Sequence, residues 1–252
     1  MDLKTNFKES LIYPIRNYKN FILLGTLFIV LDINSIVFLN NLSSNDHVLS
    51  IFCILDSIIL LIIIIGNLIS IIQENTLINK FDLEWGKKFV IGIKGFLIFS
   101  FGTIIPLILF LIITYITGTG EYYLDMLEIG VNGLTINFTV MFNDSSIIFL
   151  LINIFIVLLF TYFTVIALAR LAHTNSLKES INIKKIIEDL KNIGVIHFTL
   201  WILVMFILMI IMSIVYNKIS CISYIGMIIS SYILIPYVAM FLFKSIGNEY
   251  SI

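Results

Sequence analysis

The stretch VLSIFCILDSIILLIIIIGNLISII, residues 48–72, decides the class of protein to which this chain belongs. Asp56 is its one charged residue. A helix crosses the hydrocarbon core of a membrane with about 20 mostly apolar residues, whereas a strand of a membrane barrel needs about 9–11 residues of alternating polarity. Residues 48–72 are long enough for such a helix and lack the alternation, so they predict a transmembrane helix.

Five further runs have the same character, and they cover approximately residues 20–39, 89–117, 146–172, 194–216 and 219–243. Of the 252 residues, 60% are hydrophobic and 12% are charged, whereas about 25% of the residues in soluble domains are charged. We therefore expect an all-α polytopic membrane helix bundle with six transmembrane helices. It forms a single integral membrane domain over residues 1–252, with amphipathic helices at the cytoplasmic interface.

The basic residues lie almost entirely on one side of the predicted spans. That side holds Lys4, Lys8, Arg16, Lys19, Lys80, Lys87, Lys88, Lys94, Arg170, Lys178, Lys184, Lys185, Lys191 and Lys244. The opposite side holds Lys218, and its long loop, residues 118–145, contains acidic residues and neither Lys nor Arg. Because Lys and Arg accumulate in cytoplasmic loops, we expect a multi-pass cell-membrane protein with both termini in the cytoplasm.

Residues 176–193, SLKESINIKKIIEDLKNI, have apolar residues at helical spacing with charged residues between them. Ser176 and Glu179 fit a capping box, and Asn182 is suited to cap a second short helix. Such a helix lies in the interface with its lysines toward anionic lipid headgroups or a protein partner. The surface lysines are Lys184, Lys185 and Lys191. The alternative is a solvated connector whose charges only set the topology.

Residues 78–96, INKFDLEWGKKFVIGIKGF, form a second basic segment before a span. Trp85 suits the headgroup level, where an amphipathic ring is favoured. Lys94 lies within the following apolar run and can reach the membrane surface on its long side chain. The outer loop contains LTINFTVMF, residues 134–142, which is compatible with a short strand or with a re-entrant segment.

Three segments carry a resemblance to a known family. They are the Tyr-Pro pair Tyr13–Pro14 with Lys19 after it, FDLEWGKKFVIGIKGF at 81–96, and ARLAHTNSLKESINIKKIIEDLKN at 169–192. The chain resembles an uncharacterised domain-of-unknown-function family of polytopic membrane proteins common in methanogenic archaea. The residues that carry the motif are Tyr13, Pro14, Asp82, Glu84, Trp85, Gly92 and Lys94. The resemblance implies a six-helix architecture, no established activity and no catalytic residues; Phe81 and Asp82 stand where that family has a proline.

A weak internal repeat is visible in the basic segments. FKES at 7–10 is followed by YKNF at 18–21, and LKES at 177–180 is followed by LKNI at 190–193. Residues 77–96 form a weaker third copy. The pattern predicts a three-fold parallel repeat of about 1–72, 73–172 and 173–252.

Two carboxylates lie inside predicted spans. A charged side chain at the membrane centre costs about 2.5–3.5 kcal/mol on insertion scales, so Asp32 and Asp56 need a structural or functional reason. They occupy similar depths of two consecutive antiparallel spans, where they can share a proton or a cation. Asn34, Ser35 and Ser57 extend the polar patch. The alternative is that each carboxyl is protonated or hydrogen-bonded to a neighbouring helix.

The motifs of the common enzyme classes are not found in the sequence: H-E-x-x-H, G-x-S-x-G, C-x-x-C and a glycine-rich phosphate loop. We expect no enzyme activity, no cofactor, no metal site and no nucleic acid partner. Two functions remain open. One is a non-enzymatic membrane component or scaffold that docks a protein partner, or forms a homo-oligomer, through the basic interfacial helices. The other is a small transporter or channel that uses Asp32 and Asp56.

Overall fold

The computed structural model describes residues 3–43, 47–73, 85–117, 144–220, 222 and 224–250, and every regular element among them is helical. In chain order these are α1 (Leu3–Arg16), α2 (Tyr18–Ser43), α3 (His47–Gln73), α4 (Trp85–Thr117), α5 (Asp144–Thr174), α6 (Leu177–Ser180), α7 (Ile183–Ile193), α8 (Val195–Ser220), α9 (Tyr224–Ile229), the π-helical turn Ser230–Leu234 and α10 (Ile235–Tyr250). The predicted all-α fold is confirmed for these residues. The predicted strand or re-entrant segment at 134–142 lies outside them.

Six of the described helical segments are long and apolar enough to cross a membrane, which confirms the predicted number of spans. These segments are Tyr18–Asn40, His47–Gln73, Trp85–Thr117, Leu151–Thr174, Val195–Ile219 and Ser230–Tyr250. The shorter helices α1, α6 and α7 stand at the ends of these spans.

The last span ends later than its sequence predicts. Hydropathy places it at 219–243, because the segment SIGNEY at 245–250 is polar. In the structure the helix continues to Tyr250, and the side chains of Ser245 and Glu249 are buried. The helix continues beyond the apolar run because α1 covers these polar groups.

The chain forms two compact units, residues 1–97 with 166–252, and residues 98–165. Within the smaller unit, α4 and α5 approach closely, since a Cβ added to Gly102 would lie 2.0 Å from Oγ1 of Thr164. Pro106 stands inside α4, which continues past it to Thr117. The single domain and the three-fold repeat stay predictions.

In the larger unit, α3 and α4 meet through glycines. A Cβ added to Gly92 would lie 2.1 Å from the carbonyl oxygen of Ile62, and one added to Gly66 would lie 2.2 Å from that of Lys88. Real side chains never approach a backbone so closely, so these positions require glycine. Small residues of this kind let membrane helices pack backbone against backbone.

The first helix packs against the last one. Tyr13 and Pro14 are buried in α1, and Nζ of Lys244 lies 5.0 Å from the centre of the Tyr13 ring. The hydroxyl of Tyr237 donates to the carbonyl oxygen of Leu11 at 2.8 Å. The Tyr-Pro pair is therefore part of a helix–helix contact.

The short helices α6 and α7 begin differently. Asn182 caps α7 as predicted, because its side-chain oxygen accepts from the backbone N–H groups of Lys184 and Lys185 at 3.1 and 3.5 Å. The predicted capping box at Ser176 is wrong, since this residue makes no side-chain capping bond. The Glu179 side chain pairs instead with Nζ of Lys185 at 3.2 Å.

Candidate functional site

Three clusters of polar contacts among the described residues lie at one end of the larger unit, which we call the basic end. It comprises α1, the last turns of α3, α5 and α10, the first turns of α4 and α8, and the short helices α6 and α7. Hydrogen bonds join these elements across the chain. Buried polar side chains stabilise a protein only when they are paired. The paired groups at this end therefore determine how its helices pack.

Asn6 of α1 stands at the centre of one network. Its Nδ2 donates to the carbonyl oxygen of Ser245 at 3.2 Å and to Oε1 of Glu249 at 2.6 Å. Its Oδ1 accepts from Oγ of Ser10 at 3.0 Å and from Nδ2 of Asn248 at 3.2 Å. An asparagine side chain offers two donated and two accepted bonds, so the amide is fully satisfied and has a single orientation.

Glu249 joins a second helix to the same network. The residue is 1% exposed, and its Oε2 lies 3.0 Å from Nε2 of His197 in α8. Trp201, one turn further along α8, donates from Nε1 to Oγ of Ser245 at 2.9 Å. The buried carboxylate therefore holds α1, α8 and α10 together.

A second cluster fixes α7, and we call it the Arg170 lock. The guanidinium of Arg170 forms an ion pair with the carboxylate of Asp189 and also donates to the carbonyl oxygen of Glu179 at 3.2 Å. The hydroxyl of Tyr250 donates to the same Asp189 carboxylate. The ring of His173 lies 4.8 Å from that of Tyr250. The guanidinium of Arg170 thus joins the end of α5 to α6 and α7, and Tyr250 joins the end of α10 to the same cluster.

A third cluster closes the end of α5. Nε2 of Gln73 donates to the carbonyl oxygen of Ala172 at 2.9 Å and to Oδ1 of Asn175 at 3.0 Å. Nζ of Lys94 donates to the carbonyl oxygen of Asn175 at 2.6 Å. Asn175 has a φ of 53°, in the left-handed region in which helices commonly end. Lys94 therefore binds the end of a neighbouring helix, where a positive charge is favoured.

The outward surface of α7 is basic and apolar. Ile186 and Asp189 face the bundle, because the first is buried and the second belongs to the Arg170 lock. Ile183 and Ile187, one helical turn apart, are 63% and 47% exposed. The side chains exposed at the remaining positions are those of Lys184, Glu188, Lys191 and Asn192. The helix thus has one face on the bundle, one apolar edge and one charged face.

The residues of the predicted family motif have different surroundings. Tyr13, Pro14, Gly92 and Lys94 make the helix contacts described above. Trp85 is exposed at the start of α4, with Nζ of Lys88 5.9 Å from its ring centre. Asp82 and Glu84 lie outside the described residues.

The two predicted intramembrane carboxylates have different surroundings. Asp32 of α2 accepts a hydrogen bond from Oγ of Ser231 in the π-helical turn. Asp56 is exposed on α3. Asn34 donates from Nδ2 to Oγ of Ser57 at 2.7 Å and so joins α2 to α3 at the same level. The described residues include no hydrogen bond between Asp32 and Asp56, and a site shared by the two stays a prediction.

Sequence reasoning missed the residues that hold the basic end together, namely Asn6, Ser10, Asp189, Trp201, Ser245, Asn248 and Glu249. Two local signals were available. Asn6 and Ser10 are uncharged polar residues one helical turn apart in α1. Ser245, Asn248 and Glu249 have similar spacing at the end of a span. Neither signal names its partner, because the contacts join opposite ends of the chain.

Among the residues that the structure describes, no group of three or more His, Cys, Asp or Glu side chains is placed to hold a metal ion. The described clusters are instead hydrogen-bond networks that join helices. A family described as "Protein of unknown function (DUF4013)" matches residues 48–221 of the chain. Comparison with curated proteins gives no match, and neither does comparison with solved structures.

Proposed function

The chain belongs to this family of unknown function (DUF4013), and we propose that it is a non-enzymatic membrane component that docks a protein partner at its basic end. The observation that carries the proposal is the Arg170 lock. It fixes α7 to the bundle through Asp189, while Lys184 and Lys191 remain exposed on the opposite side of that helix. A charged helix held in one orientation can serve as a docking surface.

Rigidity supports this assignment. Binding to a preformed surface avoids the entropic cost of ordering a loop. Arg170 bonds the carbonyl oxygen of Glu179 in α6, and the N–H of Gly194 donates to the carbonyl oxygen of Leu190 at 3.1 Å and closes the end of α7. A mere connector between spans needs neither the buried ion pair nor the helical cap at Asn182.

Charge defines the chemistry of the partner. Lys178, Lys184 and Lys191 are exposed, and Lys185 is half-exposed beside Glu179. We expect an acidic surface on the partner, drawn to these lysines and steered by their field. The apolar edge formed by Ile183 and Ile187 would lie against the lipid, with the lysines near anionic headgroups.

The proposal includes a location. The basic side of the spans faces the cytoplasm, both termini lie there, and the membrane is the cell membrane, following the distribution of Lys and Arg. The resemblance noted in the sequence extends the proposal to an archaeal type of protein, of the kind common in methanogens.

A small transporter or channel using Asp32 and Asp56 is the second candidate. One observation favours it, the contact between Asp32 and the π-helical turn, because π-helical turns often accompany functional sites. Docking remains the preferred function, since three clusters of polar contacts among the described residues hold the helices of the basic end in place.

The experiment is affinity purification from native membranes in mild detergent, with mass spectrometry of the proteins that co-purify. The test variant is K184Q/K185Q/K191Q, and the matched control is K4Q/K8Q/K19Q, which removes the same charge from exposed lysines on the same side. We expect a stoichiometric partner that is lost in the test variant and retained in the control. Its binding to the purified protein in neutral-lipid nanodiscs should weaken as salt increases. A partner retained by both variants would overturn the proposal.

A further inference from the structure

The π-helical turn Ser230–Leu234 lies against the carboxylate of Asp32 inside the membrane. Asp32 belongs to the span Tyr18–Asn40. Ser231 lies at the start of the last span, Ser230–Tyr250, and its hydroxyl donates a hydrogen bond to Asp32. Ser231 is 1% exposed, so its hydroxyl is enclosed by the protein and directed at the carboxylate. This contact joins residues from opposite ends of the chain and is independent of the basic end.

The π-helical turn leaves one backbone carbonyl group without its usual helical donor. The N–H of Ile235 donates to the carbonyl oxygen of Ser230, five residues back, rather than to that of Ser231. The next residue is Pro236, which has no N–H to donate. The carbonyl oxygen of Ser231 therefore lacks both of its helical donors, because the N–H of Ile235 is bonded to Ser230 and Pro236 has no N–H. Free backbone acceptors inside a membrane are tolerated where they are buried in protein or serve a function.

Close packing holds this arrangement in place. A Cβ added to Gly25 of α2 would lie 2.7 Å from the carbonyl oxygen of Tyr232 and 2.8 Å from its ring. Glycine is thus required for α2 to approach the turn. Gly25 lies about two helical turns before Asp32 on the same face of α2, so this close approach and the bond from Ser231 hold the turn against one face of that helix.

We propose that Asp32 and Ser231 form a proton-binding site. In the ionised state the Asp32 carboxylate accepts from the Ser231 hydroxyl. When a proton passes from water to a carboxylate oxygen, the new O–H becomes the donor and the Ser231 hydroxyl oxygen accepts from it, because a hydroxyl group can both donate and accept. One negative charge is neutralised by one proton, and no other covalent bond changes. Both states are satisfied within the membrane, which is the requirement for reversible protonation there.

The elements that pack against α2 carry other titratable groups. On α3 these are His47, Cys53 and Asp56, and on the π-helical turn Tyr232. The remaining ones are on the other two elements that pack against α2: Lys4, Lys8, Glu9, Tyr13 and Arg16 in α1, and Tyr237, Lys244, Glu249 and Tyr250 in α10. Lys244, Glu249 and Tyr250 belong to the basic end. The described bonds of Asp32 come from Ser231, so this hydroxyl is the group that distinguishes Asp32 from Asp56.

The experiment labels the full chain in lipid nanodiscs with dicyclohexylcarbodiimide, an apolar reagent whose C=N bond takes up the O–H of a protonated carboxyl group. Mass spectrometry then gives the labelled fraction of Asp32 and of Asp56 as a function of pH. We expect labelling of Asp32 that falls as pH rises. In S231A the pH of half-labelling should rise by about one unit, because the donor to the ionised form is lost.

The S231T variant keeps a hydroxyl and should show the same labelling of Asp32 against pH as the unmodified protein. This comparison distinguishes loss of the hydrogen bond from a general effect of the substitution on folding. Asp56 is the internal control, and its profile should be the same in all three proteins. An Asp32 profile that S231A leaves unchanged would overturn the proposal, as would an Asp32 that stays unlabelled at every pH while Asp56 reacts. Docking at the basic end is measured separately and is expected to survive D32N.

Discussion

Arg170 at the end of α5 forms an ion pair with Asp189 in α7, and this pair determines where the lysines of α7 are presented. Both side chains are largely buried, at 9% and 20% exposure. Breaking a buried pair costs more than the pair contributes, because the remaining charge is left uncompensated. The pair therefore links the stability of the bundle to the proposed docking surface.

The D189N variant tests this link. We expect it to destabilise the protein by about 3 kcal/mol and to increase amide hydrogen exchange in α7, since Arg170 loses its counter-ion. The control is E188Q, which removes the same charge from an exposed position on the same helix. Thermal unfolding and hydrogen exchange in nanodiscs provide the measurements. Equal exchange in α7 for both variants would show that the lock does not hold the helix.

The N6A variant tests the network between the two ends of the chain. Removing this side chain takes away the Asn6 partner of Glu249 Oε1 and of Ser10 Oγ inside the protein, so we expect a loss of about 2–4 kcal/mol in the free energy of unfolding. T5A changes the exposed neighbour and should cost little. Limited proteolysis should cut N6A first within α1. If T5A and N6A unfold alike, the network is not a determinant of stability.

Glycines in α4 allow a comparison between a crowded and an open position. A Cβ at Gly92 would collide with the backbone of Ile62, whereas one at Gly86 would meet nothing within 4 Å. G92A should therefore separate α3 from α4 and destabilise the protein by about 1–3 kcal/mol. G86A should be neutral or slightly stabilising, because alanine favours helix. The melting temperatures of the two variants in one detergent decide the matter, and a G92A protein as stable as G86A would contradict the packing.

Pro236 offers a test of the origin of the π-helical turn. In P236A the new N–H can donate to the carbonyl of Tyr232, so the turn should relax toward an α-helix and Ser231 should move away from Asp32. We expect the carbodiimide profile of Asp32 to change as it does in S231A. Because Tyr237 and Lys244 contact α1 beyond this point, the basic end should keep its stability. A P236A protein with the original Asp32 profile would mean that another contact maintains the turn.

The six spans were predictable because each is an apolar run long enough to cross the membrane without a partner. The end of α10 was not, because SIGNEY is polar and its helix depends on burial by α1, more than 200 residues earlier in the chain. Asn182 was predictable as a cap, since a cap needs only its own helix. The Ser176 capping box failed because Glu179 has a competing partner in Lys185.

The hydrogen-bond partner of Asp32 could not be predicted from the sequence for a similar reason. Depth along two consecutive helices placed it level with Asp56, but rotation of each helix about its axis decides which side chains meet. That rotation is set by packing, including the contact of Gly25 with the π-helical turn. The π-helical turn itself depends on Pro236 and on tertiary contacts, so neither hydropathy nor residue spacing predicts where it lies.

The most direct test of docking is photo-crosslinking in native membranes from a benzophenone side chain placed at Glu188, between the exposed lysines of α7. The control places it at Lys218, which is exposed near the end of α8. We predict one protein adduct from position 188 that is absent from position 218 and is lost in K184Q/K185Q/K191Q. Adducts with lipid alone at position 188, or the same protein adduct at both positions, would contradict docking at the basic end.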